Sequence, residues 1–197
     1  MIISSEQLLF ENRSYANPQC RVQALVKKGE LIPLKRGLFE TEATAPGFVL
    51  ANALLGPSYL SFEYALSYYG MIPERVMTYT CATFGRNKII EYKNKFGTFT
   101  YRDIPANVFP YYYTRELSAE RPYLIATREK ALCDQLSVAP PIRGLRDFEE
   151  YLFDGIRLDE DCFDELEPTK IKRIAPLYHR TNLEQLTKLF EKKEHGR

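Results

Sequence analysis

The clearest hydrophobic pattern in the chain predicts a short buried helix that begins after Ser61. Apolar residues recur there at i, i+3, i+4 and i+7, which places them on one helical face: Phe62, Ala65, Leu66 and Tyr69. Ser61 is a favoured N-cap residue, and Gly70 stands where a helix often ends in left-handed backbone. We expect this helix to join a compact N-terminal module to a β-rich C-terminal region.

A second amphipathic pattern predicts a helix over residues 17–29. Asn17 is a favoured N-cap, Pro18 suits the first helical position, and Gly29 suits the closing position. The apolar side chains of this helix share one face. Polar side chains therefore flank that face or point away from it, and they include Gln19, Arg21, Gln23 and Lys27.

The segment over residues 31–39 predicts a tight β-hairpin with Lys35 and Arg36 at its tip. A short helix is also predicted over residues 4–10. The order helix, turn, helix, basic hairpin is that of a winged helix-turn-helix. The usual first helix of that fold is missing from this order, so the module is truncated or the helix is supplied from elsewhere, for example by the helix predicted over residues 48–55.

After residue 46 the pattern predicts a mixed α/β domain. Strands are predicted over 76–84, 89–92, 98–104, 108–113 and 123–126, and helices over 128–138, 145–153, 160–166 and from 181 onwards. The predicted fold class is therefore α/β in the α+β sense. It comprises an N-terminal winged helix-turn-helix over residues 1–46 and a mixed α/β domain with C-terminal helices over residues 47–197.

The net charge of +1 conceals two oppositely charged segments. Residues 12–37 carry six Lys or Arg against one acid, a net charge of +5, and residues 147–167 carry ten acids against one Arg, a net charge of −9. Such a division is typical of a basic contact face with a separate acidic surface, and equally of two solvated faces. The four cysteines contain no C-x-x-C pair, and no apolar run approaches the length of a membrane span. We expect a cytoplasmic protein with reduced cysteines, no membrane contact and no cofactor.

The basic module has the chemistry of a DNA-binding surface. Gln and Arg side chains on a recognition helix reach base edges, and cations at a hairpin tip neutralise phosphates. The simpler alternative is a small helical cap whose lysines are only solvated. On the first interpretation, the candidate DNA-binding residues are Asn17, Gln19, Arg21, Gln23, Lys27, Lys28, Lys35 and Arg36.

Three patches of the sequence resemble the AbiEi-type antitoxins and transcriptional regulators of bacterial type IV toxin–antitoxin systems. Residues 25–39 resemble the end of the family's recognition helix and its wing. Residues 58–76 resemble the first helix of its C-terminal domain. The run Ile-Ala-Thr-Arg-Glu-Lys-Ala-Leu-Cys-Asp at 125–134 is similar to the family pattern Ala-Thr-x-Glu-Lys-Ala-Leu-x-Asp. Together the three patches lie between residues 4 and 134.

The resemblance implies a winged-helix domain, an α/β domain, and repression of the protein's own operon through double-stranded promoter DNA. It also implies a partner toxin of the nucleotidyltransferase-like AbiEii type. In the family both domains can serve repression, and relief of toxicity is attributed chiefly to the C-terminal domain. The resemblance leaves open the oligomeric state, the operator sequence and the role of the acidic segment.

Two other classes of function stay open beside this one. The first is an antitoxin that acts by protein interaction and whose DNA-binding module is degenerate. The second is a metal-dependent nuclease of the restriction type, in which Glu74 and Glu91 would hold Mg²⁺ and Lys93 would position water. An enzyme is not the expected outcome. His179 and His195 have no nucleophile at a meaningful spacing, and Gly-Ser, which the family's toxins carry, is absent from the sequence.

Overall fold

A computed structural model describes residues 1–195 of the chain, with the side chain of His195 outside that description. Gly196 and Arg197, the end of the predicted C-terminal domain, also lie outside the described residues. The fold is mixed α/β with one three-stranded and one six-stranded sheet, which confirms the predicted class at that level.

The N-terminal module consists of three strands and two helices. They are β1 (Ile2–Ser4), α1 (Ser5–Glu11), α2 (Pro18–Lys28), β2 (Ile32–Lys35) and β3 (Leu38–Glu40). The strands form an antiparallel sheet in the order β1-β3-β2. The helices and the β2–β3 hairpin agree with the sequence prediction. β1 was not predicted, because three residues are too few to show the alternation that identifies a strand.

The module has a small core of its own. Ile3, Leu8 and Leu31 are its buried residues, and partly buried side chains of α2 pack against them. Leu34 of β2 belongs instead to the main core of the molecule, so the β2–β3 hairpin is packed against the rest of the chain. The predicted boundary after residue 46 falls in the loop between β3 and the following 3-10 helix (Gly47–Leu50).

The C-terminal part, residues 47–195, is built on the six-stranded sheet. After the 3-10 helix, α3 (Ala51–Leu54) leads into the first strand, and α4 (Phe62–Tyr68) follows it. The strands are β4 (Tyr59–Leu60), β5 (Tyr79–Thr83), β6 (Ile90–Asn94), β7 (Gly97–Asp103), β8 (Tyr113–Ser118) and β9 (Arg121–Ala126). Their order is β6-β7-β5-β4-β9-β8, with β5/β7 and β4/β9 parallel and the other pairs antiparallel.

One predicted strand was wrong. Residues 108–112 form turns, and the strand in this region begins only at Tyr113. Val108 is fully buried and Phe109 packs against Tyr59, so the apolar character of this run reflects tertiary packing rather than a paired strand.

Helices cover the rest of the C-terminal part. They are α5 (Arg128–Val138), α6 (Leu145–Glu150), which continues into a π-helix (Tyr151–Gly155), α7 (Glu160–Asp164), α8 (Pro168–Ile174), a 3-10 helix (Ala175–Tyr178) and α9 (Thr181–His195). α8 was not predicted. Within residues 1–195, no helix combines the length and the apolar character needed to cross a membrane.

The start of α4 differs from the prediction in one respect. Ser61 precedes the helix, but its hydroxyl makes no capping bond; it donates instead to Asp134 Oδ2 at 2.7 Å. The hydroxyl of Thr80, on β5, accepts from the backbone N–H of Tyr64 at 3.0 Å and donates to the carbonyl of Ser61 at 2.6 Å. A neighbouring strand therefore caps this helix. Gly70 has a positive φ of 69°, as its predicted closing role requires.

Candidate nucleic-acid interface

Helix α2 lies on the outside of the N-terminal module. The side chain of Asn17 accepts from the backbone N–H of Cys20 at 3.0 Å and caps the helix, and Gly29 ends it with a φ of 76°. Val22, Leu25 and Val26 pack against the small core of the module. None of the eleven residues of α2 is fully buried: six are partly buried, and five, including Gln19, Gln23, Lys27 and Lys28, are exposed.

Four of the predicted DNA-binding side chains are exposed on α2, and within residues 1–195 none of them has a hydrogen-bond or ion-pair partner. They are Gln19, Gln23, Lys27 and Lys28. Arg21 is partly buried, with its guanidinium 5.2 Å from the ring centroid of Tyr15, and its buried Nε has no partner among the described residues. Asn17 is exposed, but its amide oxygen already caps the helix.

The two cations predicted at the tip of the β2–β3 hairpin differ in position. Arg36 is exposed, whereas Lys35 is turned toward the C-terminal part. The ammonium of Lys35 donates to the carbonyl of Leu54 at 2.6 Å and lies 5.8 Å from the ring centroid of Tyr92. The expectation of two solvent-facing cations is therefore corrected. The carbonyl at the end of α3 lacks an intrahelical partner, and it attracts the Lys35 ammonium inward.

Two further exposed cations lie across a cleft from Arg36. Lys93, on β6, and Lys95, in the turn between β6 and β7, line an open cleft of about 610 Å³ together with Arg36, Gly29 and Pro33. Sequence reasoning did not assign these lysines to the surface of the N-terminal module, because they are separated from it by more than fifty residues. The contact of β2 with β6 brings them together: the Asn94 side chain donates to the carbonyl of Leu34 at 3.1 Å.

This arrangement has the elements of a surface that binds a polyanion. Amide side chains on an exposed helix can hydrogen-bond to base edges, and cations beside it can contact phosphates. The exposed cations of the surface are Lys27, Lys28, Arg36, Lys93 and Lys95, and within residues 1–195 none of them has an acidic partner.

The motif at residues 125–134 forms a different kind of polar site. Lys130 and Asp134, both fully buried on α5, form an ion pair with 2.6 Å between Nζ and Oδ1. The hydroxyl of Tyr178 lies 2.6 Å from each of these atoms, and the hydroxyl of Tyr59 donates to Asp134 Oδ2 at 3.0 Å. Burial, reinforced by the charge of Asp134, raises the pKa of both tyrosines well above the ordinary value.

This buried polar cluster connects three secondary-structure elements of the C-terminal part. Lys130 and Asp134 come from α5, Tyr59 from β4, and Tyr178 from the 3-10 helix before α9. All four side chains are at most 2% exposed, so a substrate cannot reach them in this conformation. The cluster therefore serves to hold the fold together. The i, i+4 spacing of a Lys and an Asp could have indicated an ion pair in the sequence, but not its burial.

Within residues 1–195, the structure shows no contact that brings Glu74 together with Glu91 and Lys93, the residues of the nuclease alternative. Glu74 pairs with Arg157 at 3.0 Å, and Glu91 and Lys93 are exposed on β6. In the described part of the chain, no group of three or more His, Cys, Asp or Glu side chains is arranged to hold a metal ion. His179 is exposed, in left-handed backbone with a φ of 51°.

Comparison with protein-family models finds no match for this chain, and comparison with curated protein sequences finds no significant match either. An assignment of function therefore rests on the geometry of the chain and on the sequence patches described above.

Proposed function

We propose that this protein is a DNA-binding transcriptional regulator and that its N-terminal module acts as a winged helix-turn-helix. The observation that carries the proposal is helix α2, which rests on the small core by one partly buried face and exposes two glutamines and two lysines. A helix in the interior of the fold buries most of its residues, as α5 does with eight of its eleven. The order of elements, with two helices followed by an antiparallel hairpin, is the order in which winged helices use a recognition helix and a wing.

In the proposed complex, α2 lies in the major groove of double-stranded DNA. Gln19 and Gln23 are spaced i, i+4 and share one face of the helix, from which they contact base edges. Arg36 contacts the adjacent backbone, and Lys93 and Lys95 extend this contact from the C-terminal part. The interface therefore separates base readout by the glutamines from phosphate contacts by the cations.

The biological role that we propose is autorepression within a type IV toxin–antitoxin system of the abortive-infection kind. It rests on the resemblance of the three sequence patches to AbiEi-type antitoxins. The DNA partner would be the protein's own promoter, and the protein partner a nucleotidyltransferase-like toxin encoded by a neighbouring gene. Lys130 and Asp134 of the buried polar cluster lie in the third of these patches and Tyr59 in the second, and their contacts give the proposed antitoxin domain a fixed architecture.

Binding to the promoter duplex, followed by fluorescence anisotropy, tests the DNA-binding part of this proposal. We expect Arg36→Ala to weaken binding to promoter and unrelated duplexes by a similar factor, because phosphate contacts carry no sequence information. Gln23→Ala should weaken binding to the promoter more than to unrelated DNA. Arg180→Ala, which removes an exposed cation near the start of α9, is the charge-matched control. Failure of the unaltered chain to bind any duplex at low salt contradicts the proposal.

A second candidate function is a protein-interaction antitoxin in which the module no longer binds DNA. The observation that favours it is the small core of the module, with only three buried residues among those described. Co-expression with the neighbouring toxin distinguishes the two functions. A full-length variant with Gln19, Gln23, Lys27 and Lys28 all changed to Ala would lose promoter binding yet still neutralise the toxin. If the unaltered chain neutralises the toxin without binding its promoter, the second candidate replaces the first.

A further inference from the structure

The N-terminal module is held against the C-terminal part by polar contacts at both ends of the β2–β3 hairpin. At the tip, Lys35 donates to the carbonyl of Leu54, and the side chain of Asn94 donates to the carbonyl of Leu34. At the open end of the hairpin, Arg121 reaches from the start of β9 to Glu40. The hairpin is therefore fixed at two separate points.

The contact at Glu40 is the more deeply buried of the two. The carboxylate of Glu40 is fully buried and accepts from Arg121 Nη2 at 2.6 Å. It also accepts from the ammonium of Met1 and from the backbone N–H groups of Thr41 and Glu42. Arg121 reaches Glu42 as well, at 3.3 Å. A buried carboxylate that lost its arginine would be left short of compensating charge, so this contact resists displacement.

The tip contact determines where the exposed cations stand. Lys35 precedes Arg36 directly, and its ring neighbour Tyr92 directly precedes Lys93. Asn94, whose side chain donates to the carbonyl of Leu34, stands between Lys93 and Lys95 in the sequence. The Lys35 and Asn94 contacts thus set the separation between Arg36 on one side of the cleft and the two lysines on the other.

We infer that Lys35 and Arg121 are positioning residues, which hold the β2–β3 hairpin at a fixed angle to the C-terminal part and so align Arg36 with Lys93 and Lys95 for simultaneous contact with the DNA backbone. Neither residue needs to touch DNA. This inference rests on the proposed DNA binding, and it reassigns Lys35 from phosphate contact to alignment. Without either residue, the hairpin samples orientations in which only one group of cations can engage.

The salt dependence of promoter binding separates positioning from contact. Removal of a phosphate contact lowers the log–log salt slope by about 0.9, which is the result expected for Arg36→Ala. Lys35→Met and Arg121→Gln should leave the slope unchanged. If they reduce the aligned population to about one tenth, they raise the apparent Kd about tenfold. Arg121→Lys, which keeps the charge, should restore most of the affinity.

Two matched controls accompany these variants. Arg115→Gln removes an exposed arginine from the same β8–β9 hairpin, and Lys188→Met removes an exposed lysine from α9. Both should bind the promoter like the unaltered chain. Amide hydrogen exchange in residues 41–46 provides a readout without DNA: it should accelerate in Lys35→Met and Arg121→Gln, and stay unchanged in both controls.

The outcomes divide clearly. If Lys35→Met lowers the salt slope as Arg36→Ala does, Lys35 is a contact residue and the inference is overturned. It is also overturned if Lys35→Met and Arg121→Gln match their controls in both affinity and exchange. If the unaltered chain binds no duplex while exchange accelerates as expected, the proposed function fails and the role of the two residues in fixing the hairpin stands.

Discussion

At the scale of single residues, burial determines which charged groups are structural. The sequence around Lys130 and Asp134 is typical of an exposed helical turn, because Lys, Glu and Asp are common on protein surfaces. The structure buries the pair completely and surrounds it with the hydroxyls of Tyr59, Ser61 and Tyr178. Charges in such a place stabilise the fold only as a complete set, since each depends on the others for compensation.

We therefore expect removal of either charge alone to be strongly destabilising. Lys130→Met should lower the free energy of unfolding by about 3–5 kcal/mol, because it leaves the Asp134 carboxylate buried without its cation. The double variant Lys130→Met/Asp134→Asn should recover a substantial part of that loss. Urea denaturation measures both. Lys192→Met, which breaks an exposed pair with Glu149, is the control and should change stability by less than about 1 kcal/mol. If Lys130→Met and Lys192→Met lowered the free energy of unfolding equally, burial would not determine the contribution of these ion pairs.

Glu40 gives a prediction about pH at the same scale. Burial by itself raises the pKa of this carboxyl, but hydrogen bonds from Arg121, the N-terminal ammonium and the Glu42 backbone outweigh it and lower the pKa below the ordinary 4.5. A lowered pKa means that the stability contributed by Glu40 is complete above its unfolded value and is lost as the pH falls through the folded value. The stability difference between the unaltered chain and Glu40→Gln should therefore be largest near neutral pH and shrink below pH 4.5. Urea titrations across this range measure it. A difference that grows on acidification would contradict the assignment.

At the scale of elements, helices that carry their own signals were predicted well. α2 and α5 agree with the prediction at both ends, because Asn17 and Thr127 each cap the helix that follows them. Strands too short to show an alternating pattern were not predicted. The strands β1 and β4 have three and two residues, and only their pairing with β3, β5 and β9 makes them strands.

Only the part of the candidate interface that lies on a single helix was predicted. The exposed side chains of α2 follow from helical periodicity, so Gln19, Gln23 and Lys27 could be assigned from the sequence. The inward turn of Lys35 could not, because the acceptor at Leu54 and the ring of Tyr92 come from later elements. Nor could Lys93 and Lys95, which reach the interface only through the contact of β2 with β6.

The capping of α4 by Thr80 is a testable case of such a distant partner. Thr80→Val preserves the shape of the side chain but leaves the Tyr64 N–H and the Ser61 carbonyl without the threonine hydroxyl. We expect the free energy of unfolding to fall by about 1–3 kcal/mol. The matched control is Thr98→Val on β7, whose hydroxyl makes no hydrogen bond among the described residues, and it should have little effect. Ser61→Ala would act differently, through loss of a bond to Asp134. Urea denaturation of all three variants separates these roles, and a Thr80→Val variant as stable as Thr98→Val would show that the hydroxyl does not cap α4.

At the scale of the whole molecule, the charge asymmetry of the sequence is only partly an asymmetry of the surface. Cations from other helices pair with the acidic segment: Arg128 with Glu165, Lys193 with Asp164, Lys192 with Glu149, and Lys170 with Glu167. Part of the predicted acidic face is therefore neutralised by the fold. The exposed cations around α2 and the cleft have no such acidic partners among the described residues, so the positive surface of the molecule persists and is extended by Lys93 and Lys95.

This surface predicts the number of phosphates that the proposed complex neutralises. If Lys27, Lys28, Arg36, Lys93 and Lys95 each contact one phosphate, the log–log salt slope of duplex binding should be about −4.5, and affinity should fall roughly 500-fold between 50 and 200 mM salt. The double variant Lys93→Ala/Lys95→Ala should reduce the slope by about 1.8.

The charge-matched control, Arg180→Ala/Lys188→Ala, removes two exposed cations from the region of α9 and should leave the slope unchanged. Both double variants lower the net charge of the molecule by two. A difference between their salt slopes is therefore due to the position of the removed cations and not to the total charge. Equal slopes would mean that the C-terminal part does not contribute to the phosphate-binding surface. The N-terminal module would then have to bind DNA alone, with only the three cations that α2 and the β2–β3 hairpin expose.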